Sequence, residues 1–167
     1  SNNFICFMKQ LTMKKELITK LKKKNIKLCI AESMTGGNFA YEFIKNKGAS
    51  DYIDYSLVCY SKDSKKIFLN LENDLKKNDV VSENIAKKMA INITSYSKHH
   101  KTMGVSCTGL ASDFLNKNLS KMSTGTVFFA AYFNKNIRVR KKVFKGLARN
   151  QIISKTIKEM IILCNSF

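Results

Sequence analysis

The chain alternates between short apolar runs and longer stretches in which apolar residues recur every three or four positions. Residues 27–31, 55–60 and 102–107 are short, largely apolar runs, which predict buried strands. Residues 9–25 carry apolar side chains at helical spacing among lysines, which predicts an amphipathic helix. A turn containing two glycines then connects the first strand to a second helix.

The middle of the chain holds two further helical segments. Residues 63–70 predict a short helix with Ile67 and Leu71 facing the core. Ser82 is expected to cap a longer helix, because its hydroxyl can accept a hydrogen bond from a backbone N–H of the first turn. The apolar stripe of this longer helix comprises Ile85, Met89, Ile93 and Tyr96.

The last third of the chain predicts a β-hairpin and a closing helix. Residues 125–133 and 137–144 have the composition of strands, and the Asn-Lys-Asn sequence at 134–136 predicts the turn between them. Residues 149–163 return to helical spacing. Strands that alternate with helices and end in a hairpin predict a layered α/β fold with a mixed sheet.

The length and the cysteines place the chain in a broad class. A chain of 167 residues with 44% hydrophobic residues is typical of one globular domain, here residues 1–167. Its apolar start is too short to span a membrane, and no cleavage-site pattern follows it. We expect residues 1–8 to be disordered or tag-derived. Five widely spaced cysteines without a CxxC pair argue against a disulfide framework or a zinc site, and free thiols indicate a reducing, cytoplasmic compartment.

The formal net charge is +18, which by itself favours a polyanionic partner. Only three of the 30 basic residues are Arg, however, and both base readout and bidentate phosphate binding favour Arg. Lysine runs without interleaved aromatics are more often solvent-exposed faces. We therefore expect no nucleic acid partner, although a basic nucleic-acid-binding module stays open as an alternative. The positive field would attract small anions such as nucleotides.

Polar residues follow the first and third predicted strands, where ligands bind in open α/β sheets. Ser33, Thr35, Gly36 and Gly37 lie between a strand and a helix, so they could form an anion-binding turn. The alternative is a tight turn capped by Ser33 or Thr35. After the third strand, Thr108 and Gly109 could line a pocket or simply form a turn.

A serine and a lysine are the only nucleophile and base that this His-poor chain offers for acyl transfer. Ser50 could be the nucleophile, Lys65 its base and Tyr60 an orienting or relaying group. The alternative is that these side chains are ordinary surface or core residues. Arg149 opens the last helix and could hold a phosphate or a carboxylate. Acidic residues are few and scattered, so we expect no metal site and no cofactor.

These motifs, in this order, resemble the CinA C-terminal domain family of nicotinamide mononucleotide deamidases. The family's Ala-Glu-Ser-Cys-Thr-Gly-Gly pattern is matched by residues 31–37, with Met34 in place of Cys. Weaker matches continue along nearly the whole chain, at residues 48–50, 60–65, 79–83, 108–111 and 124–127. The chain departs from the family at residues 112–115, where glycines are absent, and at Ile153, where the family has Arg.

The resemblance implies a three-layer α/β/α sandwich with a mixed, mostly parallel sheet, and a homo-oligomer. It implies hydrolysis of the nicotinamide amide, with release of ammonia and nicotinic acid mononucleotide. Ser50 would be the nucleophile, activated by Lys65 and Tyr60. The substrate-binding residues would be Ser33, Thr35, Gly36, Gly37, Thr108, Gly109 and Arg149. The alternative is a catalytically inactive relative that still binds nucleotides.

Overall fold

A single five-stranded sheet lies between two layers of helices in the computed structural model, which describes residues 2–111 and 122–167. The strands are β1 (Lys27–Glu32), β2 (Ile53–Val58), β3 (Thr102–Gly109), β4 (Thr126–Phe133) and β5 (Asn136–Val143). The α-helices described are α1 (Asn2–Lys24), α2 (Asn38–Ile44), α3 (Lys62–Leu69), α4 (Glu72–Lys77), α5 (Glu83–Asn92) and α6 (Arg149–Asn165). Short 3₁₀ turns precede β2 (Ala49–Asp51) and follow α5 (Ile93–Tyr96).

The sheet is mixed and mostly parallel, as expected. Its strand order is β2-β1-β3-β4-β5, with β2 and β3 both parallel to β1. The hairpin adds β4 antiparallel to β3, and β5 antiparallel to β4. Only β4 therefore runs against the other strands, and the carboxyl ends of β1, β2 and β3 meet at one edge.

Alternate residues of β1 face opposite helical layers, because successive side chains of a strand point to opposite faces. Leu28 and Ile30 pack in one core with residues of α1, α2 and α6. Cys29 and Ala31 pack in a second core with residues of α3, α4 and α5. This two-sided burial confirms the three-layer α/β/α sandwich and explains why β1 is a continuous apolar run.

Several local predictions are confirmed. The Oγ of Ser82 accepts a hydrogen bond from the backbone N–H of Ile85 at 3.3 Å, so Ser82 caps α5. Asn134 and Lys135 form the hairpin turn with φ angles of 49° and 63°. Asparagine tolerates this left-handed conformation better than most residues, which agrees with the turn predicted there.

Two apolar residues that were predicted to face the core are exposed in the structure. Ile67 is 71% exposed, because α3 begins after Ser61 and turns Lys65 and Leu69 toward the core. Residues four apart share a helix face, so Lys65 and Leu69 point to the same side. Ile67 is two positions from each of them and therefore points to the opposite side. Tyr96 is 55% exposed, because α5 ends at Asn92 and the 3₁₀ turn that follows changes the helical phase.

The amino-terminal residues differ from the expected disorder. Helix α1 already begins at Asn2, so residues 2–8 are helical in the structure. Phe4, Ile5 and Met8 nevertheless leave much of their side chains in solvent. Among the described helices, none is both long and apolar enough to cross a bilayer.

Gly104 offers a test of how tightly α5 packs on the sheet. A Cβ at Gly104 would lie 1.9 Å from the carbonyl oxygen of Ala90 on α5, which no rotamer change can relieve. We expect Gly104→Ala to lower the free energy of unfolding by about 3 kcal/mol, measured by urea denaturation. Gly146→Ala is the control, since no atom lies within 4 Å and only its φ of +69° is unfavourable. That variant should lose about 1 kcal/mol, and equal losses in the two variants would contradict the packing argument.

Candidate active site

Polar side chains converge at the edge where β1, β2 and β3 end. Ser33 directly follows β1, and Lys65 lies on α3 shortly after β2. The register pairs Glu32 with Val58 of β2, and Ala31 with Ser106 of β3. Parallel pairing therefore brings the residues after β1 and β2 side by side.

The ammonium of Lys65 is buried and donates to three acceptors. Its side chain is 1% exposed, and Nζ lies 2.9 Å from Ser33 Oγ, 2.6 Å from the Cys59 carbonyl oxygen and 3.0 Å from the Tyr60 carbonyl oxygen. No carboxylate of the described residues forms an ion pair with it. Burial without a counter-ion disfavours the charged form and lowers the pKa of Lys65 to about 8.

Once Lys65 loses a proton, this geometry determines which group donates in the hydrogen bond between Ser33 Oγ and Lys65 Nζ. The carbonyl oxygens of Cys59 and Tyr60 can only accept, so they retain the two remaining N–H bonds. The lone pair of the neutral amine then points at Ser33 Oγ, whose hydroxyl must donate. Lys65 is thus positioned to take the proton of Ser33, which is what a serine needs to act as a nucleophile.

A second buried group, the carboxylate of Glu32, organises the loop that carries Ser33. Glu32 is 0% exposed, and its oxygens accept hydrogen bonds from Thr35 Oγ1 at 2.6 Å and from the N–H groups of Gly37, Phe39 and Ala40 at 2.8–3.1 Å. These bonds satisfy donors at the start of α2 that would otherwise lack partners. The carboxylate therefore fixes the turn between β1 and α2 from inside the protein.

The expected anion-binding turn is consequently occupied by a residue of the chain itself. The N–H of Gly36 donates to the Ser33 carbonyl oxygen, and that of Gly37 donates to Glu32. The tight-turn alternative describes the segment, with Glu32 as the cap instead of Ser33 or Thr35. Gly36 and Gly37 have φ angles of 59° and 93°, so they contribute a left-handed backbone, and their N–H groups are not free for a substrate.

Thr35 connects this loop to β3. Its Oγ1 lies 3.1 Å from the sulfur of Cys107, which is completely buried. Burial raises the pKa of the Cys107 thiol, so this cysteine behaves as a small buried hydrophobe and not as a thiolate nucleophile. Thr108 is also buried, and its hydroxyl donates to the Val80 carbonyl oxygen at 2.7 Å. Gly109, the last residue of β3, lies beside Val127, at the same edge of the sheet as Ser33.

Tyr60 and Arg149 meet at the rim of this edge. The side chain of Tyr60 is 61% exposed, and its hydroxyl accepts a hydrogen bond from Arg149 Nη2 at 3.0 Å. Tyr60 touches Lys65 through its backbone carbonyl instead of its hydroxyl. The first residue of α6 is thereby brought next to the segment that follows β2.

The pairing of Ser50 with Lys65 is wrong in this structure. Ser50 lies in the exposed 3₁₀ turn before β2, and its carbonyl oxygen accepts a hydrogen bond from Lys27 Nζ at 2.5 Å. Lys27 is the first residue of β1, so Ser50 sits at the amino edge of the sheet. The six residues of β2, about 20 Å of strand, separate it from the edge where Lys65 lies. The partner of Lys65 is Ser33.

The role of Glu32 and the partnership of Ser33 with Lys65 are the features that sequence reasoning missed. A usable signal existed, since Ser33 follows a predicted strand whereas Ser50 precedes one. Residues at opposite ends of parallel strands cannot meet. The loop at 112–115, where the chain departs from the family pattern, lies outside the described residues. Within the described part of the chain, no group of three His, Cys, Asp or Glu side chains could hold a metal ion.

Comparison with known proteins identifies the family to which the chain is similar. The family model described as the CinA C-terminal domain matches residues 10–166. A putative competence-damage inducible protein of Bacillus cytotoxicus is 31% identical over 139 residues, which are 83% of this chain and 32% of that protein. A CinA-like protein of Prochlorococcus marinus is 33% identical over 154 residues, 91% of this chain and 35% of that protein. The chain thus spans about a third of the length of these relatives.

Solved structures share the fold. The crystal structure of a competence-damaged protein (CinA) superfamily protein from Klebsiella pneumoniae has a TM-score of 0.83 at 20% identity, covering 94% of this chain and 96% of the other. The competence/damage inducible protein of Agrobacterium tumefaciens also has a TM-score of 0.83, at 22% identity and 93% coverage of both chains. The α/β/α sandwich is therefore that of the CinA structures.

Removing the charge of Glu32 tests its role in holding the Ser33 loop. Glu32→Gln replaces one accepting oxygen by an NH₂ group that faces N–H donors, so we expect a loss of about 3 kcal/mol in the free energy of unfolding. Glu42→Gln is the control, since Glu42 forms partly exposed ion pairs with Lys14 and Lys45. It should lose less than about 1 kcal/mol in the same urea titration. A loss at position 32 no greater than at position 42 would refute the role.

Proposed function

This chain belongs to the CinA C-terminal domain family, and from that membership and the geometry of the site we propose that it is an amidohydrolase. Its substrate would be nicotinamide mononucleotide, and its products nicotinic acid mononucleotide and ammonia. The observation that carries the proposal is the 2.9 Å contact between the buried Lys65 Nζ and Ser33 Oγ. Ser33, and not Ser50, is the proposed nucleophile.

The pKa of Lys65 makes it a usable base near neutral pH. With a pKa of about 8, roughly a tenth of the molecules hold the neutral amine at pH 7. An ordinary lysine would be neutral in fewer than about one molecule in a thousand. The depressed pKa also leaves the ammonium acidic enough to return the proton to a leaving group.

In the acylation step, Ser33 Oγ bonds to the carbonyl carbon of the amide while its proton passes to Lys65 Nζ. The tetrahedral intermediate then collapses, and the carbon–nitrogen bond breaks. Lys65 gives its proton to the departing nitrogen, which leaves as ammonia. Lys65 therefore acts first as the general base and then as the general acid.

In the deacylation step, a water molecule attacks the ester that links the substrate to Ser33. Lys65, again neutral, takes a proton from this water and returns it to Ser33 Oγ as the ester bond breaks. The carboxylic acid that forms loses its remaining proton to solvent and leaves as the carboxylate of the nucleotide, and the site returns to its starting state. No cofactor takes part in either step.

The surroundings of the site support an anionic nucleotide as the substrate. Arg149 lies at the rim through its contact with Tyr60, where a guanidinium can bind a phosphate. The net charge of +18 gives a field that favours the approach of anions. We further propose that Thr108 and Gly109 line the substrate cleft beside Ser33. Action in the cytoplasm and as a homo-oligomer stay predictions.

Serine variants distinguish the two candidate nucleophiles. We expect Ser33→Ala to lower kcat for ammonia release from nicotinamide mononucleotide by about 10³-fold or more, because the acyl-enzyme can no longer form. Ser50→Ala is the matched control and should change kcat less than about twofold. The measurement is a coupled ammonia assay on the purified chain. The proposal fails if Ser50→Ala abolishes activity, or if the unaltered protein binds the nucleotide without releasing ammonia.

The pH profile reports the state of Lys65. Only the neutral amine accepts the proton of Ser33, so kcat/KM should rise about tenfold per pH unit below pH 8 and level off above it. Lys65→Arg keeps a permanent charge and should be inactive across the range. A thermal melt of that variant checks that it folds. A profile without an inflection near pH 8 would count against Lys65 as the base.

A further inference from the structure

A second concave region lies at the opposite edge of the sheet from Lys65. It is a cavity of about 740 Å³ bounded by the end of α1, the segment before β3 and the β4–β5 turn. Its volume is within the range of small-molecule pockets. The residues that matter for its chemistry are Lys23, Lys24, His100, Lys101, Asn134 and Lys135.

The fold gathers four lysines at this cavity from three separate parts of the chain. Lys23 and Lys24 are in the last turn of α1, Lys101 lies just before β3, and Lys135 is in the hairpin turn. The backbone of two of them is held in place. The carbonyl oxygen of Lys101 accepts a hydrogen bond from the Lys27 N–H at 2.9 Å, and Lys135 has the left-handed φ required by its turn.

No carboxylate of residues 2–111 and 122–167 neutralises the charges of these lysines. The lining contains no Asp or Glu among the described residues, and no ion pair to any of the four lysines is formed by residues 2–111 and 122–167. Elsewhere lysines do find carboxylates, as Lys14 does with Glu42 and Lys87 with Glu83. Like charges held around one cavity repel one another, and a bound anion would relieve that repulsion.

This cavity is separate from the candidate active site. Thr102, the first residue of β3, lines the cavity, while Thr108 near the other end of β3 lies at the edge of Ser33. About 20 Å of strand lies between these two positions. A ligand of the cavity therefore does not contact Ser33 or Lys65.

We propose that this cavity binds a small polyanion that carries two or more phosphate groups. Four lysines that line one cavity match several anionic groups better than a single one. Lysines act as point charges that suit phosphate without requiring a planar, bidentate acceptor. Asn134 adds a neutral hydrogen-bond donor at the rim. The concave shape and the modest volume favour a compact ligand over an extended nucleic acid.

Inorganic tripolyphosphate is the probe for this site, titrated by calorimetry at low salt against inorganic phosphate. We expect tripolyphosphate to bind at least about tenfold more tightly, and more weakly as salt rises. In an amide NMR titration, the largest shifts should fall on residues 100–102 and 132–135. Weak shifts spread over the whole surface would overturn the proposal.

Charge variants show whether these lysines are responsible. Lys101→Glu/Lys135→Glu should weaken tripolyphosphate binding by about tenfold or more, and Lys101→Gln/Lys135→Gln by a smaller factor. The matched control is Lys77→Glu/Lys155→Glu, which makes the same charge change on exposed positions of α4 and α6 and should alter affinity less than about twofold. Circular dichroism confirms folding of each variant. Equal losses in the control would show a non-specific charge effect and overturn the proposal.

Two further results would also overturn it. Arg149 lies at the other edge of the sheet, so Arg149→Ala should leave the affinity for tripolyphosphate unchanged. A loss of affinity in this variant would place the ligand at the candidate active site. A single-stranded oligonucleotide that binds through Lys101 and Lys135 when tripolyphosphate does not would identify a nucleic acid surface instead. Neither readout uses amidase activity, so a failure of this proposal is distinguishable from a failure of the proposed function.

Discussion

The burial of one ammonium group, with no counter-ion among the residues that the structure describes, is the constraint around which the candidate active site is arranged. Lys65 has two backbone carbonyl oxygens and one hydroxyl as its only acceptors in the described structure. A carboxylate in that position would stabilise the charge and raise the pKa, whereas carbonyls satisfy the N–H bonds and leave the charge poorly solvated. The same arrangement leaves one lone pair for Ser33 when the proton departs. Desolvation and hydrogen-bond geometry therefore act together to make a base from a lysine.

Glu32, the residue before Ser33, has a different role, which is to hold the start of α2. Its buried carboxylate takes the place at the start of α2 that a bound phosphate occupies in many glycine-rich loops. The loop is then rigid before any substrate arrives, which keeps Ser33 in register with Lys65. A phosphorylated substrate would accordingly place its phosphate elsewhere, and the proposed position is beside Arg149 at the rim.

The Ser50 interpretation failed for a reason of topology. A short motif match assigns a role to a residue type, but it carries no information about which end of a strand that residue occupies. Ser33 and Lys65 follow β1 and β2, and parallel pairing of these strands puts both at the carboxyl edge. Ser50 precedes β2, so it lies at the amino edge whatever its chemistry. Ile67 shows the same lesson on a helix, since the start of α3 set which residues turned inward.

The sequence by itself determined the order of the strands, most of the helices, the layered α/β class with a mixed sheet, the hairpin turn and the residue types available for catalysis. These follow from apolar periodicity and local backbone preferences, which act over a few neighbouring residues. Only the tertiary structure decided which serine faces Lys65, how far burial lowers the pKa of that lysine, and which donors Glu32 satisfies. It also decided that Lys23, Lys101 and Lys135 share one cavity. Those properties depend on distances between segments far apart in the chain, and sheet pairing fixes those distances.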